Sequence, residues 1–401
     1  MSISTAGFRQ RCYVVLGAAA LLLAAGAATA VAATAAGTTE DHSQHGGASA
    51  DGGHSGHGDH AGHQMDTGRD DLGRRLWGQT HAMSPAMYDE LRAKIPLYKG
   101  ATKATIDMTM VQMGPEYQWY ISPATLKSDA GVLIMSHGFR EQGDKMFRQS
   151  LADIANAVPT SLSLGMGMMM SDHVQLSIND LEAAGVDKIV VVPIVSNRYN
   201  ELMRQWEYIL GQRDTAEFVT VPQVKSKARI YLAKPPEDDP LIAEIIHDHA
   251  LEISKNPAKD FVIIVAHGAS GKDAAVDNPK EMAILETLAR YVKEDGGFAD
   301  VKAALLQDDA PAAVREVNVQ RLRAMAQGAL DKGQSVLIVT NLIGARTLQP
   351  KLRADLKGID YTFNAKGISQ HPNFVEWIGE AVREVLEKPA KDDGKKIADN
   401  R

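Results

Sequence analysis

Short β-type runs at 131–135, 161–168, 188–195, 229–232, 261–266, 301–307, 335–342 and 361–364 alternate with stretches whose apolar residues recur at helix spacing, at 144–158, 174–184, 200–210, 240–253, 279–293, 313–331 and 372–387. Most of these strands are apolar along their whole length and so have no side to show to water. That alternation predicts an α/β fold, with parallel sheets covered by helices on both faces.

The pattern also occurs twice. Ile134-Met135-Ser136-His137-Gly138 is answered by Val265-Ala266-His267-Gly268, 130 positions on. Asp239-Pro240-Leu241-Ile242-Ala243-Glu244-Ile245-Ile246 is answered by His371-Pro372-Asn373-Phe374-Val375-Glu376-Trp377-Ile378, 132 positions on. Two landmarks at nearly one offset predict two equivalent halves, 81–256 and 257–390, followed by a charged tail, 391–401. In each, a proline in the first helical turn is pre-set for the helix that it opens. Thr105–Met113 and Tyr117–Ile121, ahead of the first half, read as an added hairpin.

With 401 residues and 44% hydrophobic composition, the chain has material for real cores. Its net charge of −7 argues against broad nucleic-acid binding, which needs a basic face to displace counterions. The one cysteine, Cys12, lies in the N-terminal apolar stretch, so disulfides, zinc ribbons and cysteine nucleophiles are excluded from the body. Metal chemistry there falls to His, carboxylates and Met.

Arg9 and Arg11 precede an apolar run to about Ala36 that ends in small-residue patterns. This is the order of a secretory signal, and the run is also long enough for an uncleaved anchor. Residues 1–36 therefore predict an exported, periplasmic or N-terminally anchored protein, with membrane contact only if that segment is retained. Residues 37–80 form a polar, glycine-rich segment. His42, His45, His54, His57, His60 and His63 place six of the thirteen histidines within 22 residues. Such a stretch buries too little to fold and reads as a tail whose imidazoles collect divalent metal.

In an open parallel sheet ligands sit outside the carboxyl ends of the strands. His137 and His267 occupy that position in both halves. Each is followed by a glycine that admits close approach, and imidazole there can bind a metal or take a proton. The tract Gly165-Met166-Gly167-Met168-Met169-Met170 offers pliable thioethers, Met166, Met168 and Met170 among them, to line a pocket with His173. Alternating Met is equally an ordinary strand core. No Gly-x-Ser-x-Gly elbow accompanies His137, which argues against a hydrolase.

Gly131-Val-Leu-Ile-Met-Ser-His-Gly-Phe-Arg140, the phrase Leu181-Glu-Ala-Ala-Gly-Val-Asp-Lys-Ile-Val-Val-Val-Pro193 and the duplicated body resemble the sirohydrochlorin cobaltochelatase/ferrochelatase family, over roughly 125–390. The resemblance implies two flavodoxin-like halves with a cleft between them. It also implies insertion of a divalent metal substrate (cobalt, iron or nickel) into a tetrapyrrole without a nucleotide, and is compatible with an oligomer. His137 would then be metal ligand and base, with His267 its counterpart. The family's carboxylate at the end of the second strand aligns with Met168. Its second histidine, beyond the third strand, aligns with Glu201, and the second half has no histidine between Leu342 and His371. Asp172, His173 and Glu201 are the polar residues placed to substitute, Glu201 as the catalytic candidate. The alternative is a non-catalytic metal- or tetrapyrrole-binding protein on the same fold.

Overall fold

A computed structural model describes residues 68–77, 83–113, 116–165, 170–345 and 348–387. An N-terminal portion comes first, with β1 (Arg74–Trp77), α1 (Pro85–Lys94), α2 (Lys103–Met113) and β2 (Glu116–Tyr120); the expected tail over 37–80 is corrected at its end, where Arg74–Trp77 forms a sheet strand on β2 because Leu76 and its neighbours have a partner strand to pair with. The first half follows with β3 (Ala130–Ser136), α3 (Arg140–Ser150), α4 (Ala152–Ala157), β4 (Thr160–Leu164), α5 (Asp172–Ala183), β5 (Lys188–Pro193), α6 (Glu201–Ile209), β6 (Arg229–Leu232) and α7 (Pro240–Leu251). The second half has β7 (Asp260–Ala266), α8 (Ala274–Gly296), β8 (Asp300–Leu305), α9 (Ala312–Leu330), β9 (Ser335–Thr340), α10 (Leu348–Asp355), β10 (Thr362–Phe363) and α11 (Pro372–Glu387).

Both halves carry the same parallel strand order, β4-β3-β5-β6 in one sheet and β8-β7-β9-β10 in the other. This 2-1-3-4 arrangement is flavodoxin-like, and its switch point lies beside the first strand of each half. The first sheet is widened at its β4 edge by β2 and β1, both antiparallel. The expected hairpin is corrected here. Thr105–Met113 lies in α2, where Ile106 and Met110 are buried one turn apart, and β2 pairs with β1 and β4.

Strand alternation divides the burial. Val132 and Ile134 of β3, with Val262 and Ile264 of β7, enter one shared core with Ile242 and Ile246 of α7 and Phe374 and Trp377 of α11. Leu133 and Met135 face an outer layer with α1, α5 and α6, and Ile263 and Val265 face one with α9 and α10. Each such aliphatic side chain contributes about 1.5–3 kcal/mol on leaving water. The helices that end the halves are exchanged: α7 packs on β9, α11 packs on β5, and the two contact each other. Asp239 caps α7 by accepting the Leu241 N–H at 2.9 Å, with Pro240 in its first turn. Helix α5 stops at Gly185, whose φ of +93° suits glycine. Helix α8 starts earlier than Pro279 suggests, because Asn278 ties its first turns to Ala269. Among the described residues no helix is long and apolar enough to cross a membrane.

The exchanged helices enclose an imidazole pair. His249, 1% exposed, lies 5.8 Å ring to ring from His371, and its Nδ1 has no partner. Burial depresses its pKa to about 4, opposed by Glu252 and Asp248, with the neighbouring His371 and Lys366 lowering it further. Unfolded, this imidazole titrates near 6.5, so the unfolded chain binds more protons between those values and stability falls as pH drops through that window. The expected loss is about 3 kcal/mol by pH 4. Urea midpoints from pH 7 to 4 should flatten in His249→Gln; an unchanged slope would assign the acid sensitivity elsewhere.

Candidate metal site at the strand ends

His137 and His267 directly follow β3 and β7, at the two switch points. The adjoining Gly138 and Gly268 have φ of +82° and +77°. A Cβ on Gly268 would come within 3.1 Å of Leu305 Cβ, so the turn is reserved for glycine on two grounds. In both halves the imidazole Nδ1 meets the carbonyl of that glycine, at 2.6 Å for His137 and 2.9 Å for His267. A carbonyl only accepts, so Nδ1 carries the proton and Nε2 is turned outward.

The two rings differ in charge. Burial holds His137 below its ordinary pKa, against the Gly138 carbonyl and Asp144, and the positive His267 depresses it further. It is a neutral imidazole with a free Nε2 lone pair. His267 is also desolvated, but its Nε2 lies 3.0 Å from Asp309 Oδ2, and that hydrogen bond and charge outweigh desolvation and raise its pKa to about 9. The His267 hydrogen bond in turn lowers Asp309 against burial. The side chains of this dyad are 43% and 55% open, so it stands at a recessed but wet mouth.

Asp309 has a clear counterpart. Ser136 pairs with Leu164 in one sheet and Ala266 with Leu305 in the other, so these strand ends are equivalent. Four positions further are Met168 and Asp309. The first half thus has a methionine where the second has a carboxylate, and that carboxylate meets the histidine. The sequence reading missed it because the two halves differ in spacing after the first strand.

Loops from the two halves cross at this mouth. Phe139 packs 5.7 Å from the His137 ring and 5.1 Å from Phe147, and reaches the backbone of Gly344 beyond β9. Asp144 holds its loop by accepting the Phe139 N–H at 2.6 Å and the Tyr117 hydroxyl; burial raises its pKa against these bonds. Its counterpart Asn278 accepts the Ala269 N–H at 2.7 Å. From the other side, Glu201, first in α6, accepts the N–H groups of Ser270, at 3.0 Å, and Gly271. The carboxylate is therefore engaged with the opposite loop rather than open to a substrate proton. Glu281 of α8 is also at this seam and 4% exposed. Burial raises its pKa, opposed by His267, the Gly268 N–H and the Asn197 side chain, while Glu201 repels it.

The other candidates lie apart or outside. His173 is buried in the first turn of α5, its Nδ1 3.7 Å from Glu116, and Met170 packs on Leu176. Both belong to the first half. Met166 and Met168 lie outside the described residues, as do His42, His45, His54, His57, His60 and His63. Among the described residues no group of three or more His, Cys, Asp or Glu converges as an ion site. The donors at the mouth are the His267–Asp309 pair, and His137, near enough for the His267 charge to lower its pKa.

No protein-family profile and no curated protein matches the chain. Among solved structures it is similar to SirB from Bacillus subtilis with Fe3+, at 16% identity and a TM-score of 0.47, covering 65% of this chain and 96% of that one. It is also similar to DR2241 from Deinococcus radiodurans, described as a multi-domain protein with structural similarity to chelatases. The identity is again 16%, the TM-score 0.38, and the coverage 63% of this chain and 55% of that one. A periplasmic solute-binding protein from Actinobacillus succinogenes with bound D-allose follows at 11% identity and a TM-score of 0.29, covering 65% and 93%.

Proposed function

We propose that this protein is an exported chelatase-like enzyme that inserts a divalent metal, cobalt or iron, into a sirohydrochlorin-type tetrapyrrole, with the histidines between His42 and His63 collecting the ion. The observation that carries this reading is the His267–Asp309 dyad at 3.0 Å, with a neutral His137 near enough for the His267 charge to lower its pKa. An imidazole and a carboxylate sharing one proton are two donors that a divalent ion can take by displacing it. Two protein donors leave the remaining coordination positions to water and to the macrocycle nitrogens, as transfer requires. His137, with Nε2 unprotonated, accepts a pyrrole proton as the metal enters, and the second proton leaves through the open mouth.

Purified protein mixed with sirohydrochlorin and Co²⁺ or Fe²⁺, followed by absorption, tests this. Turnover should fall about 100-fold in His267→Ala and about tenfold or more in His137→Ala. A binding protein without catalysis is the second reading, favoured by the engagement of Glu201 with the opposite loop. It predicts a stoichiometric spectral change with no turnover.

A further inference from the structure

The loop that joins His267 to α8, Gly268-Ala269-Ser270-Gly271-Lys272, has every backbone N–H from 268 to 271 directed at a side-chain acceptor. Glu281 takes that of Gly268, Asn278 that of Ala269, and Glu201 those of Ser270 and Gly271. Successive N–H groups ahead of a long helix form a concavity suited to anions, and here two of them already hold a carboxylate. A Cβ on Gly271 would stand 2.6 Å from Glu201 Oε1, so the approach depends on glycine. Two further groups in the loop are unused. Ser270 is 9% exposed and its Oγ has no partner. Lys272 is exposed and forms no ion pair among the described residues.

We infer that residues 270–272 are a subsite for a carboxylate substituent of the ligand, and that Glu201 is its removable occupant. The inference rests on the tetrapyrrole reading for the identity of the ligand. Glu201 comes from the other half, is only half-buried, and is held by N–H groups without an ion pair among the described residues. An incoming carboxylate replaces it one for one. It keeps both charge-assisted hydrogen bonds and adds Ser270 Oγ–H and Lys272 Nζ. Displaced, Glu201 becomes a free carboxylate at the mouth. A macrocycle bearing acidic side chains engages this exchange and one without them does not.

The test measures binding of uroporphyrin, an octacarboxylate, of a tetracationic N-methylpyridyl porphyrin, and of mellitate, which has the carboxylates but no macrocycle. Glu201→Gln keeps an acceptor for the two N–H groups and removes the competing charge. It should bind uroporphyrin and mellitate about fivefold tighter than wild type. Lys272→Ala should bind both about threefold more weakly. The cationic porphyrin should show neither the gain nor the loss. If Glu201→Gln binds neither anionic probe more tightly, the subsite is refuted. If mellitate shows the gain while no porphyrin binds, the subsite stands and the tetrapyrrole reading falls.

Discussion

Asp309→Asn should change the pH dependence of metal capture, and His267→Ala should abolish the captured fraction that depends on it. In the wild-type protein an ion must displace the His267 proton, which is held to about 9 chiefly because the Asp309 bond outweighs desolvation. Affinity should therefore climb about tenfold per pH unit through neutrality and level off near that value. In Asp309→Asn the shape is kept and the charge is gone, so desolvation prevails and the climb ends below the ordinary histidine range. The plateau should be about 10–100-fold lower because one oxygen donor has been weakened. Competition with a chromophoric chelator for Co²⁺ from pH 5.5 to 9.5 reads both effects. Subtracting the His267→Ala curve removes binding by the N-terminal histidines, common to all three proteins. Superimposable curves for wild type and Asp309→Asn would show that the dyad does not carry the metal. The same pair affects folding with the opposite sign to His249. A raised pKa contributes stability below pH 6.5 that is lost as pH rises through about 9, and this alkaline loss should be absent from Asp309→Asn.

The sheets were legible because parallel strands buried on both faces leave continuous apolar runs, such as Ile189 to Ile194, and the duplication was legible because His-Gly recurs after two of them. Helix α2 was not. Thr105 and Val111 are β-branched and most of its surface is exposed, so the two buried positions, Ile106 and Met110, give too little helical signal. Asp309 escaped for a different reason. A single offset of 130 locates the second histidine, but the stretch between the first two strands is longer in the second half, and only strand register reveals that Met168 and Asp309 correspond. Glu201 was found from its position, whereas its acceptance of two N–H groups from the other half is a tertiary fact that no local pattern encodes. Glu281 had no signal at all, since a glutamate in the middle of a long helix is ordinarily solvated.

Arg204→Met should be the most destabilising single change at the seam between the halves. Arg204 of α6 reaches Asp277 of α8 at 2.7 Å and Glu217 at 3.1 Å, and its Nη1 donates to the Tyr199 carbonyl at 3.3 Å. All three ionic side chains are buried, and no other cation is placed to neutralise Asp277 among the described residues. Methionine fills much of the volume but leaves Asp277 without charge compensation, and Glu217 with only Arg213 at 4.0 Å, in a poorly solvated seam, at a cost of about 3–5 kcal/mol. Asp277 lies one turn before Glu281, whose carboxyl touches the loop of His267, so the same substitution should loosen the dyad's position. Urea unfolding at pH 7 measures the first effect. Adding Asp277→Asn and Glu217→Gln to Arg204→Met should recover most of the loss, because the uncompensated charges are then gone. A cost below about 1 kcal/mol for Arg204→Met would mean that the shared apolar core and the exchanged helices hold the halves together, with the ion network only setting their register.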